Sequence, residues 1–278
     1  MTSYDVQFNL RRRHPLGRLH LLKNELQSVY VRWTLKHSLD VAYGQSPGEK
    51  IDLFPSSNPG APVFVFIHGG YFRALDKRQY RYLARPWVRA GCTVALVNYD
   101  LAPTVTVGEI VEQNLKAFAW IRENVGRWNG DPENILLCGH SVGAFLVAKI
   151  LESEVAQGRG ASISGAALLS GLYDLTKMKL SYLNESLRLT DDDVANLSPA
   201  FGKTDAFPPC LVAVGDDETD EFIAQSEAYF EKLQRSGGSH DHMLLENKNH
   251  YSVSRMLSHW KNPLMEKLAA MSGAGGHG

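Results

Sequence analysis

Asn134-Ile-Leu-Leu-Cys-Gly139-His-Ser141-Val-Gly143-Ala-Phe-Leu-Val-Ala-Lys-Ile-Leu151 is the stretch on which the reading turns. Asn134–Cys138 is a short aliphatic run suited to a buried strand. From Val142 onward, the composition suits a helix packed on a sheet. Between them, Gly139 and Gly143 flank Ser141 as Gly-x-Ser-x-Gly. Glycines at those two places allow a sharp turn that lifts the serine hydroxyl clear of the backbone. The helix that follows directs its free N–H groups toward any negative charge formed there. A strand, this turn and then a helix together predict a nucleophile elbow.

A chain of 278 residues suits one large α/β domain better than two with a linker. Its net charge of −1 gives no reason to expect nucleic acid or an anionic membrane as partner. Cys92, Cys138 and Cys210 each lie in or beside an apolar run, which argues for buried thiols in a reducing compartment, with cytoplasm the default. No apolar stretch approaches the ~18 residues needed to span a bilayer. Arg11-Arg-Arg13 precedes His-Pro-Leu-Gly-Arg instead of an unbroken apolar core, which argues against a signal peptide.

Outward from the elbow, strands and helices alternate. Pro62–Ile67, Thr93–Tyr99, Asn134–Cys138, Ala166–Ser170, Cys210–Gly215 and His242–Glu246 read as strands. Segments near Asp76–Ala90, Val105–Trp128, Val142–Glu154, Glu221–Gly237 and Arg255–Met271 read as helices. The pattern predicts a mostly parallel central sheet with helices on both faces. Ser38–Tyr43 and Lys50–Phe54, joined by Gly44-Gln-Ser-Pro-Gly48, read as an antiparallel edge hairpin. Residues 1–271 then form a single domain. It carries an N-terminal helical extension (about 1–37), a lid-like insert (about 173–206) and a flexible tail (272–278). In the extension, Leu16, Leu19, Leu22, Leu26, Val29 and Trp33 recur at spacings of three or four, which predicts an apolar face laid against the body.

A serine hydroxyl needs a base to take its proton and a third group to orient that base. Gly215-Asp-Asp-Glu218-Thr-Asp follows a strand and offers Asp216, Asp217 and Glu218 as acids. Asn247-Lys-Asn-His250-Tyr follows the next strand and places His250 at its carboxyl end, where catalytic groups collect. His240 and His242 fall at the other end, and His259 within the terminal helix. Backbone donors for an oxyanion are expected from Val142 and from His68-Gly-Gly70-Tyr71 after the Val63–Ile67 strand.

Several separated motifs agree in order: His68-Gly-Gly-Tyr-Phe-Arg-Ala-Leu-Asp-Lys77, Asn98-Tyr-Asp-Leu-Ala-Pro103, the elbow, Ser170-Gly-Leu-Tyr-Asp-Leu175 and Glu218-Thr-Asp-Glu-Phe222. From about Val41 to Trp260 the chain resembles the kynurenine formamidase (arylformamidase) branch of the α/β-hydrolases, related to hormone-sensitive-lipase-like esterases. The resemblance implies the α/β-hydrolase fold with Ser141 as nucleophile, His250 as base and Glu218 as acid. It also implies an oxyanion hole from Gly70, Tyr71 and Val142, with Tyr71 and Phe72 against the substrate. No metal or cofactor is called for. The implied reaction is hydrolysis of an N-formyl arylamine through a formyl-serine intermediate, with a short-chain carboxylesterase as the alternative. Tyr71, Phe72 and Val142 are bulky, so a tight acyl side is expected, with the arylamine held in part by Tyr173–Leu189. The expected partner is a small aromatic formamide or ester, with neither nucleic acid nor membrane. A homodimer is admitted by the sequence but not required by it.

Overall fold

The computed structural model describes residues 3–274. Among these, eight strands form one sheet: β1 (Ser38–Ala42), β2 (Lys50–Phe54), β3 (Ala61–Ile67), β4 (Thr93–Val97), β5 (Gly130–His140), β6 (Ile163–Leu169), β7 (Cys210–Gly215) and β8 (His240–Leu245). Their order is β1-β2-β4-β3-β5-β6-β7-β8. β2 pairs antiparallel with both β1 and β4, and the remaining pairs are parallel. The expected edge hairpin and central sheet are therefore present.

Alternation along the central strands builds a core on each face of the sheet. On one face, Val63, Val65 and Ile67 of β3 join the buried side chains of α5 (Val107–Asn124), α6 (Val142–Ala156) and α10 (Asp220–Ser236). On the other, Phe64 and Phe66 meet α4 (Ala84–Arg89) and the C-terminal helices α11 (His250–Met256) and α12 (Pro263–Ser272). Trp87 stacks on Phe64 with centroids 3.9 Å apart. The three cysteines are buried and unpaired, and burial pushes their thiols up, Cys92 to about 12.

Helix ends depart from the sequence reading where local chemistry intervenes. A Thr106–Glu109 capping box delays α5 to Val107, and the last turn before Asn129 tightens into a 3-10 turn, Val125–Trp128. Lys77–Leu83 is likewise 3-10, leaving only α4 as α-helix in that segment. The expected terminal helix is two helices, because Asn262 caps a new start with Pro263 in its first turn. His259 therefore lies between helices. α12 runs through Ser272, whose carbonyl accepts from the Asn134 amide at 3.3 Å, and Gly273 ends it at φ 67°. The tail expected from residue 272 is thus helical at its start, and residues 275–278 lie outside the described residues. The insert carries three short helices, α7 (Thr176–Lys179), α8 (Asn184–Leu187) and α9 (Asp191–Leu197). Asp191, Asp192 and Asp193 fall in the first turn of α9, where the helix dipole favours acids.

The N-terminal extension corrects a firmer expectation. α1 (Ser3–Phe8) and α2 (Leu10–Arg13) lead into α3 (Gly17–Thr34), which docks by its polar side. Arg255 reaches Asn24 and Gln27, and Tyr82 N–H donates to Ser28 Oγ at 3.1 Å. Gly17 lies so close to the Tyr251 ring that a Cβ there would come within 2.4 Å of it. Leu16, Leu19, Leu22, Leu26, Val29 and Trp33 face outward instead. Hydrogen bonds to buried Arg255 and to the turn decide the docked face, which apolar periodicity cannot register.

One buried ion cluster ties the turn after β3 to the edge of the sheet. The fully buried Asp52 on β2 accepts from Arg81 Nε at 2.6 Å and from the Asp40 N–H at 2.8 Å, and forms an ion pair with Lys77 Nζ at 3.2 Å. Lys77 N–H also donates to Asn98 Oδ1 at 3.0 Å. Removing the charge of Asp52 leaves two cations without their buried partner. Asp52→Asn is expected to lower unfolding stability by ~3–5 kcal/mol in urea titration, and an unchanged midpoint would refute this role.

Candidate active site

Ser141 sits at φ 59° and ψ −127°, between the end of β5 and the start of α6. Its N–H donates to Leu169 O on β6 at 2.8 Å, so the turn is clasped by the neighbouring strand. A Cβ on Gly139 would fall 2.2 Å from Gly143 O, and one on Gly143 would fall 2.1 Å from Ile67 O. Both glycines of the motif are therefore required by close backbone approach, as the sequence reading expected.

His250 is the first residue of α11, with Asn249 as its cap, and it follows β8 as expected. Glu218 lies beyond β7 and is fully enclosed. Its Oε2 accepts from His250 Nδ1 at 2.7 Å, while Oε1 accepts from Ser170 Oγ at 2.5 Å and from Gly215 N–H at 3.1 Å. With the Nδ1 proton directed at the carboxylate, Nε2 is the ring nitrogen left to accept a proton. Asp217 points elsewhere: it is exposed and meets Arg13 at 3.4 Å and His14 at 3.8 Å. Asp216 accepts from Lys248 N–H at the surface. Of the three acids left open by chemistry, only Glu218 is brought to the histidine. No hydrogen bond joins Ser141 Oγ to the imidazole in this structure, and both groups open onto one cavity of about 330 Å³.

The turn after β3 places Gly70, Tyr71 and Phe72 at φ 114°, 53° and 59°, so three successive residues are left-handed. Two of them are not glycine, and such backbone strain gathers at functional sites. A Cβ on Gly69 would lie 2.7 Å from Ser141 Cβ, which brings this turn against the elbow. The N–H groups of Gly70, Tyr71 and Val142 donate to no protein acceptor among the described residues. His68 anchors the turn from below: its Nε2 meets Asn98 Oδ1 at 3.2 Å, and its carbonyl accepts from Tyr99 OH at 2.8 Å.

Tyr71 lines the cavity, with its hydroxyl donating to Phe8 O at 3.0 Å. Phe72 does not line it. The left-handed turn sends that ring into the core, edge-on to Phe145 at 5.3 Å, which corrects the expectation of a substrate contact. The Val142 side chain is likewise fully buried in the core and does not narrow the cavity. The expected wall from Tyr173–Leu189 reduces to Tyr182. Most of the roof is instead the N-terminal extension, through Phe8, Leu10, Arg11, Leu21 and Asn24. Asp5 holds that segment down by accepting from Tyr182 N–H at 2.7 Å.

Two residues at the site were given no role by sequence reasoning. Ser170 belonged to a quoted motif, but its contact with Glu218 comes only from β6 lying beside β7. His140 precedes the serine, and its Nε2–H donates to His250 O at 2.9 Å. Burial and the neighbouring His250 hold the His140 pKa well below the ordinary histidine range, which keeps that ring neutral.

Comparison with known proteins agrees with this arrangement. The protein family described as alpha/beta hydrolase fold matches residues 64–254. Kynurenine formamidase of Danio rerio is 32% identical over 238 residues, covering 83% of this chain and 80% of that protein. A probable isoprenylcysteine alpha-carbonyl methylesterase of Oryza sativa subsp. japonica is 29% identical over 76% of this chain and 56% of its own length. The crystal structure of a putative thioesterase from Silicibacter sp. TM1040 superposes with a TM-score of 0.87 at 26% identity, covering 97% of this chain and 100% of that one. With family, fold and relatives in agreement, the chain is a hydrolase that belongs to the kynurenine-formamidase-like branch of the α/β-hydrolases.

Proposed function

We propose that the protein hydrolyses an N-formyl arylamine of the N-formylkynurenine type to formate and the free amine. The observation that carries this is the hydrogen bond of fully enclosed Glu218 to His250, at a cavity shared with Ser141 and Tyr71, in a chain 32% identical to a kynurenine formamidase over about four-fifths of both proteins. Ser141 Oγ attacks the formyl carbon while His250 Nε2 takes its proton. The N–H groups of Gly70, Tyr71 and Val142 receive the oxyanion, each aligned donor lowering the barrier by ~3–4 kcal/mol. His250 then protonates the departing amine nitrogen, and the C–N bond breaks to leave formyl-serine. Water, deprotonated by the same imidazole, attacks that ester and releases formate with Ser141 restored.

The cavity supports an aromatic substrate bearing an anionic tail. Phe8, Tyr71, Tyr80, Tyr182 and Tyr251 wall it. Arg11 and Arg73 also line it, and neither forms an ion pair with a carboxylate among the described residues. Guanidinium groups so placed suit the carboxylate of an amino-acid substrate. The second reading, a short-chain esterase, is favoured by the methylesterase relative and uses the same groups.

Ser141→Ala is expected to abolish hydrolysis with the fold intact, and turnover within a few-fold of the parent on formamide and ester alike would reject Ser141 as nucleophile. Glu218→Gln is expected to reduce kcat by up to ~10⁴-fold, because the amide destabilises the working tautomer, while Asp217→Asn stays within a few-fold. Loss of the Ser170 hydroxyl removes a charge-assisted bond worth ~1.5–3 kcal/mol, so Ser170→Ala should lower kcat about 10–100-fold at unchanged KM. The reverse ranking of the two acids would move the orienting role to Asp217. Among formyl, acetyl and butyryl derivatives of one arylamine, a formamidase is expected to be fastest on the formyl compound, an expectation that rests on the proposed reaction, since neither Phe72 nor Val142 narrows the cavity. A rise from formyl to butyryl, with phenyl esters faster than every amide, would select the esterase.

A further inference from the structure

The outward face of α3 is the largest apolar feature left uncovered. Leu16, Leu19, Leu22, Leu26, Val29, Tyr30 and Trp33 are 52–85% exposed, and only four other large apolar side chains are exposed among the described residues. A patch of this size, on the order of 500 Å², is at the upper end of what a monomer leaves in water, and such patches mark interaction sites. The spacing is specific. Leu19, Leu22, Leu26, Val29 and Trp33 follow intervals of three, four, three and four, which are the a and d positions of a heptad seam.

The charges beside the seam are self-complementary. When two such helices lie antiparallel about a two-fold axis, Leu26 opposes Val29 and Leu22 opposes Trp33 of the other copy. In that register the flanking Glu25 faces Arg32 of the second copy, and by symmetry this pair forms twice. Lys23 falls beside the second copy's Tyr30, where a cation meets an aromatic face. Glu25 is exposed and accepts from Gln79 Nε2 at 2.8 Å through one oxygen, leaving the other open, and Arg32 has no ion-pair partner among the described residues. An anionic lipid surface is the competing occupant, since residues 1–37 hold seven Lys or Arg against two Asp or Glu. Glu25, halfway along the flank of the seam, would be repelled there, whereas it is matched by a second copy.

We infer that this face is the homodimer interface, formed by antiparallel packing of α3 on α3 of a second copy. Its position links assembly to the candidate site. The opposite side of the same helix supplies Leu21 and Asn24 to the cavity roof and packs Gly17 on Tyr251, next to His250. Packing two copies therefore steadies the roof without adding any residue to it.

Sedimentation velocity at micromolar concentration tests the inference. The parent chain is expected to be a dimer and Leu22→Glu/Leu26→Glu a monomer, with helicity checked by circular dichroism. Glu25→Arg and Arg32→Glu should each weaken the dimer by placing like charges together, and the double swap should restore it. These exposed single changes also cover the case in which the leucine variant fails to fold. A monomeric parent chain, or a dimer unaffected by the charge variants, would overturn the inference. A monomeric parent that co-floats with phosphatidylserine vesicles but not phosphatidylcholine vesicles would assign the stripe to lipid.

Discussion

The φ of 59° and ψ of −127° at Ser141 are the constraint around which the molecule is assembled. A non-glycine residue in such a conformation costs roughly 1–3 kcal/mol and persists only where its surroundings over-determine it. Here they do so from three sides. β6 accepts the Ser141 N–H, Gly143 is pressed on Ile67 O, and Gly69 is pressed on Ser141 Cβ. The strained turn therefore rests on the parallel pairing of β3, β5 and β6 in the middle of the sheet. Strand pairing thus aims the hydroxyl.

The same economy governs Glu218 and His250. Glu218 has one oxygen occupied by Ser170 and Gly215, so the other is left for His250. A carboxylate held on both oxygens cannot turn away, and the imidazole it holds is fixed in tautomer and orientation. His140 adds a grip on the carbonyl of His250 from the Ser141 side. Groups from the ends of β5, β6, β7 and β8 therefore converge on one ring, at the carboxyl edge where parallel sheets present their ligands.

Access to this edge is controlled by the beginning of the chain. The N-terminal extension crosses the cavity, with Asp5 tied to Tyr182 and Phe8 to Tyr71, and α3 locked by Arg255. These hydrogen bonds and one close glycine contact act together with the burial of Phe8, Leu10 and Val31 in the core. The extension brings the Phe8 ring and the Arg11 guanidinium to the cavity.

Much of this was legible in the residues themselves. Alternating apolar runs determined the parallel sheet, the glycines at 139 and 143 determined the elbow, and the order of Ser141, the acid turn and His250 determined which strand ends must meet. Those features are local, since each depends on residues adjacent in sequence or on a regular period. The rest depends on contacts between distant segments. Asp216, Asp217 and Glu218 are chemically alike as a string, and only the packing of β7 against β6 and β8 aims one of them at His250. Phe72 reads as a pocket residue until the left-handed turn carries it inward to Phe145. The stripe of α3 has the period of a buried face, yet Asn24, Gln27 and Ser28 on its other side found partners in Arg255 and Tyr82 and turned it to solvent. Periodicity records that a helix has an apolar side. Which side meets the body was decided by hydrogen bonds formed only once the chain had folded.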